Sequence, residues 1–145
     1  MNNLEALNIL IIDDDLDVRE RLSNILKRRG YLTLTAQNGL EGLELVKNNP
    51  VDIIFCDIVM PEMDGIEFLN KMKENNLKVE VIMVSGLPSV ESVTECFERN
   101  VVEFMLKPLT IDDILNSLNR AKKRLQEKKQ GFDIVLDRMK SKHLL

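Results

Sequence analysis

Hydrophobic residues along the chain alternate between short, nearly continuous runs and longer stretches in which they recur every three or four positions. Five runs are rich in Ile and Val, and they span Asn8–Ile12, Tyr31–Ala36, Val51–Cys56, Val79–Val84 and Val101–Leu106. Continuous apolar runs of this length predict strands that are covered on both faces. Because a helical stretch follows each run, the pattern predicts an α/β fold: a doubly wound, five-stranded parallel sheet of the (βα)5 type.

The stretches between the runs have the spacing of amphipathic helices. Asn38 is expected to cap the second helix, and Pro88 is expected in the first turn of the fourth. The residues expected to face the sheet are Val18, Leu22, Ile25 and Leu26, then Leu40, Leu43 and Val46, then Ile66, Leu69 and Met72, and then Val90, Val93 and Phe97.

The fifth helix, which begins near Thr110, carries apolar residues at a strict interval of seven. These are Ile111, Leu118, Leu125, Phe132 and Met139. Such a repeat is typical of helices that pair with one another. Lys122 and Lys129 interrupt the companion positions, and Gly131 costs about 1 kcal/mol inside a helix. Two interpretations remain open: a helix that frays into a solvated tail after about Arg120, or an extended helix that pairs in a homodimer.

The charge distribution separates an acidic body from a basic C-terminal segment. The net charge is −4 over 145 residues. Residues 1–119 hold 21 acidic and 11 basic residues, which is −10, whereas residues 120–145 hold 3 and 9, which is +6. We therefore assign residues 1–122 to the main domain and residues 123–145 to a basic helical extension or linker. An acidic body without Trp argues against direct nucleic-acid binding by that domain.

The remaining composition excludes several further classes of function. No apolar stretch is long enough to span a membrane, and Met1–Leu7 lacks the features of a signal peptide, so we expect a cytoplasmic protein without membrane association. Cys56 and Cys96 lie in apolar stretches without a CxxC motif, which favours buried, reduced thiols. His143 is the only histidine. A histidine-based zinc site or a Ser-His-Asp triad is thereby excluded from the body of the chain.

Polar residues follow four of the apolar runs, at the points where the predicted strands end. They are Asp13, Asp14 and Asp15 after the first run, Asp57 after the third, Ser85 after the fourth and Lys107 after the fifth. Each alone is explained by a helix cap or a turn. Because parallel strands end at the same edge of a sheet, however, the residues are expected to converge where ligands bind in such folds.

The residue types at this edge point to phosphoryl chemistry. Crowded carboxylates at Asp14 and Asp57 require a divalent cation, and an all-oxygen site with few protein ligands suits Mg²⁺. A carboxylate beside such an ion can attack phosphorus and become an acyl phosphate. The ammonium of Lys107 and the hydroxyl of Ser85 suffice to neutralise and orient the transferring group.

Four motifs together make residues 8 to about 122 resemble the receiver domain of two-component response regulators. They are LIIDDD at 10–15, IIFCDIVMPEMDG at 53–65, VIMVSG at 81–86 and FMLKP at 104–108. The resemblance implies a flavodoxin-like fold and phosphorylation of Asp57 by a sensor histidine kinase. It also implies a conformational switch that controls an output protein or a following effector domain. Such a domain is not an enzyme, apart from assisting its own phosphorylation and dephosphorylation.

The resemblance also assigns roles to individual residues. The implied Mg²⁺ ligands are Asp14, Asp57, the backbone carbonyl of Val59 and, through water, Asp13. Lys107 matches the phosphate-binding lysine of the family, Ser85 its switch hydroxyl and Phe104 the aromatic residue whose rotamer follows that hydroxyl. Pro108 is expected after a cis peptide bond.

The chain departs from the family pattern at two kinds of position. Asn100 and Val101 stand where Gly-Ala is frequent, which should affect only the end of the fourth helix. Val59 and Leu87 are apolar where the family often carries polar groups that orient the hydrolytic water. We therefore expect slow loss of the phosphoryl group.

Two alternative functions remain open on the sequence. A haloacid-dehalogenase-type phosphatase also pairs two aspartates after its first strand, here Asp13 and Asp15, although it expects Thr or Val at Asp17 and a further acidic motif. A pseudo-receiver would bind partners without taking a phosphoryl group, although every key position of the family is filled in this chain.

Overall fold

A strand and a helix alternate five times in the computed structural model, which describes residues 7–145. The strands are β1 (Asn8–Ile12), β2 (Leu32–Ala36), β3 (Ile53–Asp57), β4 (Glu80–Ser85) and β5 (Glu103–Leu106). The helices are α1 (Leu16–Arg28), α2 (Gly39–Asn48), α3 (Gly65–Glu74), α4 (Val90–Glu98) and α5 (Ile111–Ser141). All strand pairs are parallel and form one sheet in the order β2-β1-β3-β4-β5. The predicted flavodoxin-like (βα)5 fold is confirmed.

The sheet separates two hydrophobic cores. Helices α1 and α5 cover one face, where Leu26 and Ile114 pack against Ile9. Helices α2, α3 and α4 cover the other face, where Phe68 packs with Leu10. Strand order reverses between β1 and β3, because the chain first turns outward to β2 and then returns to the other side of β1. A crevice therefore opens at the carboxyl ends of β1 and β3, which is the usual ligand site of open α/β sheets.

The faces of α2 and α4 differ in part from the expectation. In α4 the buried residue is Cys96, whereas Val90 and Phe97 are 80% and 52% exposed. Pro88 precedes the helix, whose N-cap is Ser89. The apolar residues of α4 are spread over two faces, so their spacing alone did not identify the one that packs.

In α2 the close contact with the sheet is made by a glycine rather than by Leu40, which is 47% exposed. A Cβ atom on Gly42 would lie 2.5 Å from Cδ1 of Ile12, so a larger residue there would push the helix away from β1. Asn38 caps the helix as expected, by accepting from the backbone N–H of Glu41.

Helix α5 is much longer than the others and continues past the sheet. It begins with a capping box between Thr110 and Asp113 and runs for 31 residues, which corresponds to about 46 Å. The predicted extended C-terminal helix is confirmed, and the alternative in which the helix frays after Arg120 is wrong. None of the helices in residues 7–145 is long and apolar enough to cross a membrane.

Candidate functional site

Three carboxylates meet where β1 and β3 end. Asp57 is the last residue of β3, and Asp13 directly follows β1. Both are buried, at 5% and 3% exposure, whereas the neighbouring Asp14 is exposed. One carboxylate oxygen from each of the three lies within 4.8 Å of the others. The sheet topology thus brings together residues that are 44 positions apart in the sequence.

The three aspartates that follow β1 have two different roles. Asp15 is the N-cap of α1, and its side chain accepts a hydrogen bond from the N–H of Asp17. Asp13 accepts from the N–H of Asp15 through Oδ1 at 2.9 Å, and its carbonyl oxygen accepts from Nη1 of Arg19 at 2.7 Å. The helix cap therefore fixes the loop, and Asp13 and Asp14 are left to form the cluster.

Lys107 connects the two buried carboxylates. Its Nζ lies 2.8 Å from Oδ2 of Asp13 and 3.2 Å from Oδ2 of Asp57. The backbone N–H of Lys107 donates to the carbonyl of Ser85 at the end of β4, which holds the loop after β5 beside the cluster. The peptide bond between Lys107 and Pro108 is cis.

The electrostatics of the cluster favour an additional cation. Burial and the nearby charge of Asp13 raise the pKa of Asp57, although attraction and a hydrogen bond from Lys107 oppose that shift. Burial alone lowers the pKa of Lys107, but its contacts with Asp13 and Asp57 outweigh burial, and the net shift is upward. Three carboxylates face one ammonium, so the oxygen donors fit a hard divalent cation such as Mg²⁺.

The start of α3 packs closely against the end of β3. The N–H of Gly65 donates to the carbonyl of Ile58 at 2.8 Å, and a Cβ atom on Gly65 would lie 2.6 Å from the carbonyl oxygen of Asp57. Only glycine permits this approach, so Gly65 positions the loop that contains Val59. The side chain of Val59 is 69% exposed at the rim of the site, and Leu87 is 95% exposed in the loop after β4.

Two arginines on α1 support the site, and the sequence reasoning missed both. Nη1 of Arg19 donates to the carbonyl of Asp13, and Nη1 of Arg21 donates to the carbonyl of Leu109 at 2.8 Å. Together they tie the loop of the carboxylates and the loop of Lys107 to one helix. Spacing provided no signal for the second contact, because Arg21 and Leu109 lie 88 positions apart.

Ser85 on β4 and Phe104 on β5 are not members of the cluster of carboxylates and Lys107. Ser85 is buried at the end of β4, and within residues 7–145 its hydroxyl makes no hydrogen bond to the carboxylates. Phe104 is half-buried on β5, opposite Met83 of β4. The switch roles that the resemblance implies for these two residues therefore stay predictions.

Comparison with known proteins agrees with this geometry. A family model described as the response regulator receiver domain matches residues 9–119. Chemotaxis protein CheY of Bacillus subtilis is 32% identical over 116 residues, which cover 79% of this chain and 97% of that protein. A CheY-like receiver domain protein of Methanospirillum hungatei superimposes with a TM-score of 0.78 at 28% identity, covering 87% of this chain and 98% of that one.

The chain also matches part of a longer regulator. Transcriptional regulatory protein ZraR of Klebsiella oxytoca is 35% identical over 117 residues. The match covers 81% of this chain but only 26% of ZraR, so the chain spans about a quarter of that relative's length.

Proposed function

The chain belongs to the response regulator receiver domain family of two-component signalling, and from this premise we propose that Asp57 accepts a phosphoryl group from a sensor histidine kinase. The observation that carries the proposal is the buried carboxylate of Asp57 at a strand end. It is gathered with Asp13 and Asp14 within 4.8 Å and lies 3.2 Å from the ammonium of Lys107.

In the proposed reaction, a carboxylate oxygen of Asp57 attacks the phosphorus of a phosphohistidine on the kinase. The new O–P bond forms an acyl phosphate, and the breaking N–P bond leaves its electron pair on the histidine nitrogen. Lys107 neutralises charge on the phosphoryl oxygens as a point charge, and its present ion pairs hold it at the required place. The role of the chain is therefore to position and neutralise the transferred group.

Asp14, Asp57 and the backbone carbonyl of Val59 are the groups that would hold Mg²⁺ directly. Bound Mg²⁺ supplies charge neutralisation and orients phosphoryl oxygens. Asp13 is assigned a role through water, because Oδ1 already accepts from Asp15 and Oδ2 contacts Lys107. Asp14 is the exposed member of the cluster and has room for a direct ligand bond.

The proposed output is a conformational change that an output protein or a following effector domain reads, with Ser85 and Phe104 as its switch residues. This signalling role places the chain in the cytoplasm and requires no catalytic turnover of an outside substrate. A phosphatase of the haloacid-dehalogenase type needs Asp13 and Asp15 together at the site. That function is disfavoured because Asp15 caps α1 instead.

The test is phosphorylation by acetyl phosphate with Mg²⁺, followed by intact-mass spectrometry. The wild-type protein should gain one phosphoryl group that is labile to hydroxylamine, and Asp57→Asn should gain none. Asp15→Asn is the matched control, since Asn also caps helices and labelling should persist. Asp14→Asn should require more Mg²⁺ for the same extent of labelling. An acid-stable label, or equal labelling of Asp57→Asn, would show that the phosphoacceptor is another residue.

A further inference from the structure

The Lys107 loop, residues 107–110, joins β5 to α5 and borders a cavity that separates it from α1. The cavity has a volume of about 400 Å³, and its lining includes Val18 and Arg21 of α1 and Lys107 and Pro108 of the loop. The side chain of Leu109 is anchored in the core below. The cavity, however, interrupts the packing between α1 and Lys107, so side-chain packing alone does not fix the loop against this helix.

Arg21 forms a polar contact across this gap. Its Nη1 donates to the carbonyl oxygen of Leu109 at 2.8 Å. Within residues 7–145, no other hydrogen bond or ion pair connects α1 with the Lys107 loop. Helix α1 is a firm support for the contact, because Leu22 and Leu26 are buried in the core beneath the helix.

The backbone of the Lys107 loop is therefore held from two sides. The N–H of Lys107 donates to the carbonyl of Ser85 on β4 at 2.9 Å, and the carbonyl of Leu109, two residues further on, accepts from Arg21 on α1. Between these two contacts, the ammonium of Lys107 reaches Asp13 at 2.8 Å and Asp57 at 3.2 Å. A lysine acts as a point charge on a flexible stem, so the position of its backbone limits where that charge can lie.

The same helix also holds the other side of the carboxylate cluster. Nη1 of Arg19 donates to the carbonyl of Asp13 at 2.7 Å. Side chains two positions apart point to different sides of a helix, so α1 lies between the loop of Asp13 and the Lys107 loop and contacts each through one arginine. Arg19 and Arg21 together thus set the spacing between the Asp13 carboxylate and the Lys107 ammonium.

We propose that Arg21 is a positioning residue for phosphoryl acceptance, an inference that rests on the proposed function of Asp57. By holding the carbonyl of Leu109, Arg21 keeps the ammonium of Lys107 where the phosphoryl oxygens arrive. Lys107 contacts the transferred group, whereas Arg21 acts only through the backbone of the loop. Stabilisation of a transferred group depends on charges that are already in place, so a looser loop slows the reaction even though every reacting group is still present.

The first test is the rate of labelling by acetyl phosphate with Mg²⁺, followed by intact-mass spectrometry. Arg21→Ala should label about tenfold more slowly than wild type, less than the about 100-fold that a misplaced reacting group can cost. Arg21→Lys should recover part of the rate, because its ammonium can still donate to a carbonyl. Arg28→Ala is the matched control, since it removes an exposed arginine from the other end of α1 and should label at the wild-type rate.

The outcomes separate this inference from the proposed function. A wild-type protein that takes no label would overturn the proposed function and this inference with it. A labelled wild-type protein with equally fast labelling of Arg21→Ala would overturn this inference alone.

A double-mutant cycle tests whether Arg21 acts through Lys107. The measured quantity is the dissociation constant for fluoroberyllate, a stable substitute for the phosphoryl group, determined with Mg²⁺ from the ¹⁹F resonance of the bound group. Arg21→Ala should weaken binding when Lys107 is present and should have no further effect in Lys107→Ala. An arginine that only stabilised the fold would weaken binding by the same factor in both backgrounds, and that result would contradict the proposal.

Discussion

At the scale of single residues, burial and the neighbouring charge of Asp13 oppose the ionisation of Asp57. Burial and Asp13 raise the pKa of Asp57 above its ordinary value of 3.8. A carboxyl whose pKa is raised by folding stabilises the folded state while it is protonated, below about pH 3.8, and that contribution is lost as the pH rises through the folded pKa.

We therefore predict that Asp57→Asn increases the free energy of unfolding at pH 7 in the presence of EDTA. The difference from wild type should shrink as the pH is lowered, because Asp57 then becomes protonated and neutral like the amide. Urea unfolding across a pH series measures both effects. Equal stability of the two proteins at pH 7 would mean that Lys107 fully compensates the charge of Asp57.

The apolar rim of the site leads to a second prediction at the residue scale. Val59 and Leu87 cannot hydrogen-bond a water molecule that attacks the phosphoryl group, so hydrolysis should be slow. Val59→Gln and Leu87→Glu should each accelerate dephosphorylation by up to ~10-fold, a small part of the about 10²–10⁴-fold that a positioned acid or base supplies. The decay of phosphorylated protein after removal of the phosphodonor measures the rate. Unchanged decay in both variants would contradict the role of water orientation.

At the scale of elements, the strands were predictable and the helix faces only partly so. Apolar runs mark the strands because both sheet faces are covered, and the polar residues at their ends therefore mark the site. For α4 the spacing predicted a packed face with Val90, Val93 and Phe97, whereas the residue that the structure buries is Cys96.

The contacts of Arg21 and Gly65 that hold the site in place could not be predicted from the sequence, for a related reason. The hydrogen bond from Arg21 to Leu109 spans 88 positions. The requirement for glycine at position 65 depends on a distance to the carbonyl of Asp57. Motifs and periodicity locate residue types along the chain, but such contacts follow only from how the elements pack.

The contact between β4 and α5 leads to a prediction about truncation. A chain ending at Arg120 lacks Arg124 and Lys128, the cations of Glu80, and it also lacks Ala121 and Leu125, which pack in the core between α5 and the sheet. The lost ion pairs should cost on the order of 2 kcal/mol, less than for a fully buried pair because Lys128 is 60% exposed, and the lost apolar contacts should add to that cost. A chain ending at Lys129 should be as stable as the wild-type chain. In the chain ending at Arg120, Glu80→Gln should restore part of the lost stability. Urea unfolding measures the stability of each protein, and recovery of stability by Glu80→Gln in the shorter chain separates the contribution of the charges from that of Ala121 and Leu125.

At the scale of the whole molecule, α5 connects the two ends of the domain. It begins four residues after Lys107, whose ammonium contacts the carboxylate cluster, and it is held by Glu80 at the opposite end of the sheet. The loop before α5 is fixed by Arg21 and by the carbonyl of Ser85. In the proposed function, a movement of Lys107 toward the phosphoryl group would therefore act on the N-terminal end of α5, and the helix would extend that influence past the domain.

The last prediction follows from this arrangement. Fluoroberyllate with Mg²⁺, a stable substitute for the phosphoryl group, should change amide hydrogen exchange in β5 and the first turns of α5, because Lys107 exchanges its contact with Asp13 for the new oxygens. Lys107→Ala should abolish that change while fluoroberyllate still binds, as judged by ¹⁹F resonance of the bound group. Lys123→Ala, which removes an exposed lysine of α5 on the same helix, should behave as wild type. If Lys107→Ala retains the exchange response of wild type, the signal reaches α5 through another residue.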